Sequence, residues 1–175
     1  AVLMTAINDS GRWFLERKRS QERYDSLKEY FENYKKNLAA LCDELEKNNV
    51  EITLCTPVSY AEYQDSPEAP VKGCCALLTA YAEFCRNFAK KRGYALCDYH
   101  RYLTEKMQTE DLSKPDRVHP NEKGQYYIAK CFLEFQGMEL EDFAPIPEKY
   151  SELRHFDDLV RIIYAVEHMV IGADN

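Results

Sequence analysis

Val2-Leu3-Met4-Thr5-Ala6-Ile7-Asn8-Asp9-Ser10-Gly11 stands at the head of the chain. Its first six residues form a short apolar run without polar alternation. Such a run reads as a strand of a parallel sheet, buried on both faces. Asn8-Asp9-Ser10-Gly11 then closes it with turn chemistry. A buried strand needs neighbours on both sides. The expectation is that the natural protein begins earlier, with N-terminal strands missing from this sequence.

Working outward, about Ser20 to Asn48 reads as one long helix. Leu27, Phe31, Tyr34, Leu38, Leu41 and Leu45 recur at spacings of four and three, a core-facing stripe. Ser26 and Glu29 can form a capping box if the helix starts late. Val50 to Thr56 reads as a second strand, stopped by Pro57. Residues 57–70 hold Pro57, Pro67 and Pro70 with little periodicity, a candidate rim for a site. A second helix is expected over about 71–92, with Cys74, Leu77, Leu78, Tyr81, Cys85 and Phe88 inward. Gly93 ends it after the basic Lys90-Lys91-Arg92 turn. Tyr94 to Cys97 is a third strand, with Asp98 at its end. A short helix over 101–107 follows, then a polar loop to Pro115.

A helix from about 121 to 136 buries Ile128, Cys131, Phe132 and Phe135, and Gly137 caps it. Beyond it, Pro145 and Pro147 break the chain before a last helix over about 148–171. The domain expectation is one α/β unit over 1–137 and a helical extension over 138–175. Strand–helix alternation implies a three-layer sandwich around a parallel sheet with right-handed crossovers. In such sheets ligands bind beyond the carboxyl ends of the strands. Asn8-Asp9, the 57–70 loop and Asp98 all fall on that edge.

Length and composition fit one domain with one sizeable core: 175 residues, 45% hydrophobic and 30% charged. A net charge of −7 without a basic stripe argues against a nucleic-acid partner. No apolar run is long enough to span a bilayer. No signal peptide is visible, although the chain does not begin with Met. Cys42, Cys55, Cys74, Cys75, Cys85, Cys97 and Cys131 lie mostly in apolar patterns without C-x-x-C spacing. They read as buried, reduced thiols of a cytoplasmic protein; a Cys nucleophile paired with His119 would need an exposed, electropositive position. His100, His119, His155 and His168 form no ligand cluster, so neither metal nor cofactor is expected.

Chemistry concentrates in Asp116-Arg117-Val118-His119-Pro120-Asn121-Glu122-Lys123-Gly124. An Asp three residues before a His at a loop-to-helix junction can fold back on the ring. It orients and charge-balances an imidazole that can move a proton. The expected geometry is a carboxylate oxygen about 2.6–3.2 Å from Nδ1, with Nε2 facing a cleft whose rim also carries Asn8.

Two blocks carry a family resemblance. Ala6-Ile7-Asn8-Asp9 resembles the Gly-x-Asn-Asp block of SGNH (GDSL-type) hydrolases. Asp116 through Gly124 resembles their Asp-x-x-His-Pro-Asn block followed by Gly. The intervening order of helix, Thr56-Pro57 strand end, helix and Asp98-terminated strand is similar too, so the resemblance covers roughly residues 2–136. It implies the flavodoxin-like SGNH fold and a serine esterase or acyl hydrolase acting on a small-molecule, carbohydrate or lipid ester. By the same resemblance His119 is the general base, Asp116 its orienting partner and Asn8 the oxyanion donor. Ala6 departs from the family's Gly, and no Gly-Asp-Ser nucleophile block is present. The nucleophile is therefore expected upstream, leaving this chain inactive alone. Ser10, in Asn8-Asp9-Ser10, is the local rival. The alternative of another class is a non-catalytic binding domain that keeps the fold. Composition leaves oligomeric state open.

Overall fold

The computed structural model describes residues 1–17 and 19–139. Three short strands, β1 (Val2–Met4), β2 (Thr53–Cys55) and β3 (Ala95–Cys97), form a parallel sheet in the order β1-β2-β3. Leu3 stands opposite Leu54, which stands opposite Leu96. Between and after the strands run α1 (Gln21–Lys47), α2 (Cys74–Arg92), α3 (Tyr99–Lys106) and α4 (Glu122–Phe135).

Alternation along the strands makes the layers. Leu3, Leu54 and Leu96 point to a face covered by α1 and α2, where Tyr34, Leu38, Cys42, Tyr81, Cys85 and Ala89 are buried. Phe31 and Tyr34 pack their rings on Tyr81, with centroids 4.7 and 4.8 Å away. Cys55 and Cys97, one residue on, point to the other face. There Tyr99 and Leu103 of α3, Leu112, and Cys131 of α4 complete a second core. The three-layer α/β arrangement is therefore present.

The strands and helix ends differ from the sequence reading in instructive ways. β1 ends at Met4 rather than Ile7, because the Ala6 N–H donates to the Asp9 carboxylate at 3.0 Å instead of to a neighbouring strand. The chain turns there, with Ala6 at φ 91 and the Asp9 N–H returning to the Ala6 carbonyl. Nor is β1 buried on both faces: Val2 and Met4 are 55% and 53% exposed. They share the Cys55 face, which α3 and α4 cover only over β2 and β3. α1 starts at Gln21, where the Ser20 hydroxyl accepts the Arg23 N–H, so Ser26 and Glu29 lie inside the helix and form no capping box. Leu41 is 43% exposed and Phe135 36%, each at the margin of its helix's buried stripe. A 3₁₀ turn over Arg12–Glu16 has no signature in the sequence, since one turn carries no periodicity. The short third helix begins at Tyr99 because the Asp98 carboxylate caps it through the Arg101 N–H. Gly93, at φ 73, ends α2 as expected. The expected 148–171 helix lies outside the described residues.

Candidate active site

All three strands deliver loops to one edge of the sheet, the edge of their carboxyl ends. The loop after β1 carries Asn8, Asp9 and Ser10. The loop after β2 runs from Thr56 to Gly73. β3 ends at Asp98, and the segment between α3 and α4 carries Asp116 and His119.

That last segment is folded back on itself. The Lys114 N–H donates to the His119 carbonyl at 2.7 Å, the Asn121 N–H to the Leu112 carbonyl at 3.0 Å, and Ser113 bridges Pro120 in antiparallel fashion. At its tip Asp116 gathers three donors. Oδ1 accepts the Val118 and His119 amides at 3.0 and 2.9 Å, and Oδ2 lies 2.5 Å from His119 Nδ1. Burial alone would raise the Asp116 pKa. The His119 ring and these two amides outweigh that effect and hold the carboxyl down at about 2. Asp116 is thus a carboxylate across the physiological range. A carboxylate can only accept, so Nδ1 is the donor, and in the neutral ring the lone pair is then on Nε2; the imidazole is 68% exposed, and Nε2 has no hydrogen-bond partner among the described residues.

The Asn121 side chain then caps α4 by accepting the Gly124 N–H at 2.9 Å. Gly124 has a steric reason to be there: a Cβ would lie 2.0 Å from the Leu112 carbonyl oxygen. Helix α4 thereby docks directly on the strand-like segment that leads to Asp116.

Arg117, between the two titratable groups, carries no obvious sequence signature. It is 5% exposed and sits at φ 62, in the left-handed region. Its guanidinium donates to main-chain carbonyls of the loop after β2: Ala61 at 2.9 Å, Gln64 at 2.5 Å and Glu68 at 2.8 and 3.0 Å. The Arg117 carbonyl accepts the Ala61 N–H in return. That loop is held in turn by Glu62, whose carboxylate accepts the Gly73 and Cys75 amides at the start of α2. A cap reaching across eleven residues was invisible in the sequence.

Asn8 approaches from the other side. Ile7, just before Asn8, and Val118, just before His119, pack against one cluster of Tyr60, Cys74 and Leu78. The two loops thus flank a common apolar floor. Asn8 is exposed and also borders a cleft of about 430 Å³ between the end of β1 and α1, with Thr5, Asp9, Tyr30, Asn33 and Asn37; His119 does not line it. Ser10 is fully buried, and its hydroxyl donates to the Ile7 carbonyl at 3.0 Å. Asp98 is occupied by a bidentate pair with Arg86 and by the Thr56 hydroxyl, a structural knot rather than a free carboxylate. His100 is buried against Thr79, and burial lowers its pKa. All seven cysteines are free thiols. Burial raises the pKa of Cys42, Cys74, Cys75 and Cys85, with Cys74 at about 12. Burial that keeps these thiols protonated makes them poor candidates for a nucleophile. Among the described residues no group of His, Cys, Asp or Glu is placed to hold a metal ion, and no helix is long and apolar enough to cross a membrane.

The profile of GDSL-like lipases and acylhydrolases matches residues 1–132. The chain belongs to that family. Comparison with curated proteins gave no match. Among solved structures the fold resembles the acetylxylan esterase Axe2 from Geobacillus stearothermophilus, at 25% identity and a TM-score of 0.58 over 79% of this chain and 59% of that one. A tryptophan variant of the same esterase gives 24% identity and a TM-score of 0.60, over 81% and 61%. A gut microbial diltiazem-metabolizing enzyme gives 21% identity and a TM-score of 0.60, over 78% of this chain and 32% of that one. This family member therefore spans less than two thirds of those relatives. Catalytic mutants of Axe2 exist at a serine, an aspartate and a histidine, the aspartate three positions before the histidine.

Proposed function

We propose that this chain is the base-bearing part of a serine ester hydrolase. The observation that carries the reading is the His119 Nδ1 contact to Asp116 at 2.5 Å, on the carboxyl edge of a parallel sheet, with the imidazole exposed and Nε2 without a hydrogen-bond partner among the described residues. The Asp–His spacing is that of the Axe2 catalytic mutants. In this reading Nε2 takes the proton of a serine hydroxyl as it attacks an ester carbonyl, then returns it to the leaving alcohol. Asp116, ionised at neutral pH, stabilises the imidazolium between the two transfers. The Asn8 amide, on the facing loop, donates to the oxyanion of the tetrahedral intermediate.

The serine is supplied by residues preceding Ala1. Ser10 fits the role poorly: it is fully buried and its proton is committed to Ile7. The exposed Val2 and Met4 on the outer strand, with the cleft beside Asn8, are the side on which the nucleophile-bearing segment docks. The substrate class is a small ester, including acetylated sugars by analogy with Axe2.

The test is labelling with a fluorophosphonate probe, with an activated acetate ester assayed in parallel. The 175-residue chain should stay unlabelled, and the protein extended by the residues encoded upstream should be labelled at a serine before Ala1. His119→Ala should abolish that labelling, with a loss of activity of about 10⁴-fold or more. Labelling at Ser10 would transfer the nucleophile to this chain. An extended protein that neither labels nor hydrolyses would leave the non-catalytic binding domain as the better reading.

A further inference from the structure

We propose that Arg117 is a positioning residue for the Asp116–His119 dyad, setting the imidazole's tautomer and direction by clamping the dyad to the loop after β2. The proposal rests on the reading of His119 as a base, but its test does not require turnover.

Three observations converge. First, the conformation at residue 117 makes the dyad possible. Asp116 must accept the amides of Val118 and His119 and still reach the ring. The left-handed turn at Arg117 (φ 62) brings those donors round to one carboxylate. Side chains other than glycine resist that region, so something must hold it.

Second, the holding is done by the guanidinium. All three of its nitrogens donate, and every acceptor is a main-chain carbonyl: Ala61, Gln64, Ser66 and Glu68. No carboxylate pairs with it among the described residues, although it is 5% exposed. A buried cation solvated by carbonyls of one loop reads the shape of that loop. A planar fork with five donors can satisfy four carbonyls at once, and an ammonium cannot match that geometry.

Third, the clamped loop grips the dyad segment on its other flank too. Gln64 donates to the Glu110 carbonyl and accepts the Ser113 hydroxyl, and the Ser66 hydroxyl donates to the Pro115 carbonyl. Since this loop leaves the end of β2, the imidazole's direction is referred to the sheet itself. A loop-borne base gains from such referencing, because small misplacements of reacting groups are costly.

The experiment is NMR of the imidazole nitrogens in the whole chain, with 15N-labelled histidine and pH titration. Wild type should hold His119 in the Nδ1–H tautomer above its pKa. Arg117→Lys should shift the population towards Nε2–H. Arg117→Gly, which tolerates the positive φ but lacks the fork, should do the same, and added methylguanidinium should restore the wild-type tautomer. In the upstream-extended enzyme either variant should lower kcat about a hundredfold and move KM much less. Should both variants unfold, amide exchange in the wild type decides. The Ala61, Val118 and His119 amides should open as one unit, with protection within about tenfold of one another. Variants that keep the wild-type tautomer overturn the positioning role, as does independent opening of those amides; the esterase reading then survives. A shifted tautomer in a protein that never labels with fluorophosphonate has the opposite meaning, upholding the clamp and sinking the hydrolase.

Discussion

Gly124→Ala reverses an ordinary expectation, and its sign can be worked from the contacts. In most helices the change stabilises, by up to about 1 kcal/mol. Here the new Cβ would lie 2.0 Å from the Leu112 carbonyl oxygen and 2.9 Å from Pro120 Cβ. An acceptable carbon–oxygen contact is about 3.3 Å or more, so α4 and residue 112 must part by roughly 1 Å. That carbonyl accepts the Asn121 N–H at 3.0 Å, and a shift of this size breaks the bond. Overpacking costs about 1–3 kcal/mol and the orphaned polar group about 1–3 kcal/mol. Against the helix gain of up to about 1 kcal/mol, the net loss is about 1–5 kcal/mol. With m of about 2 kcal/mol/M, the urea midpoint should fall by about 0.5–2.5 M. Chemical unfolding followed by circular dichroism measures it. A variant as stable as the parent, or more so, would refute the claim that α4 is seated by this close approach.

Three further outcomes are expected. Asp116→Asn should be less stable than the parent at neutral pH. Because the folded carboxyl sits at about 2, below the ordinary ~3.9, that difference should persist above about pH 4 and close as pH falls towards 2; a gap that widens in acid contradicts the assignment. Thr56→Val removes a fully buried hydroxyl that donates to Asp98 and accepts the His100 N–H, and should cost about 1–3 kcal/mol by urea unfolding, with Thr56→Ser recovering most of it. β1 is an edge strand among the described residues, with Val2 and Met4 exposed, so the chain should associate with rising concentration in sedimentation velocity, and lysines at both positions should suppress this.

The sequence disclosed the architecture well wherever periodicity ran long. α1 and α2 announce themselves by their stripes, and Gly93 by its position after three basic residues. Asp116 and His119 were legible because their coupling is local, across three residues. What escaped was whatever depends on remote partners. The Asn8-Asp9-Ser10-Gly11 turn was legible as a turn, but not that the Asp9 carboxylate takes the Ala6 N–H and so ends β1 at Met4. Glu62 capping α2, and Arg117 gripping four carbonyls, look in sequence like ordinary surface charges. A buried arginine has no pattern of its own; only the assembled loop reveals why it is there.

The clamp has a consequence for the order of folding. The Asp116–His119 contact closes a ring of three residues, whereas the Arg117 bonds to the loop after β2 close segments 49 to 56 residues long. Within those segments lie α2, β3 and α3. Contacts of such separation form late, since the chain entropy must be surrendered before they reward it. On refolding, the imidazole should therefore meet its carboxylate early, in an orientation not yet referred to the sheet. The fixed direction should arrive only when α2 and β3 have docked. Helical signal should recover before the His119 ring acquires its native tautomer, and that late tautomer phase should be missing when Arg117 is replaced.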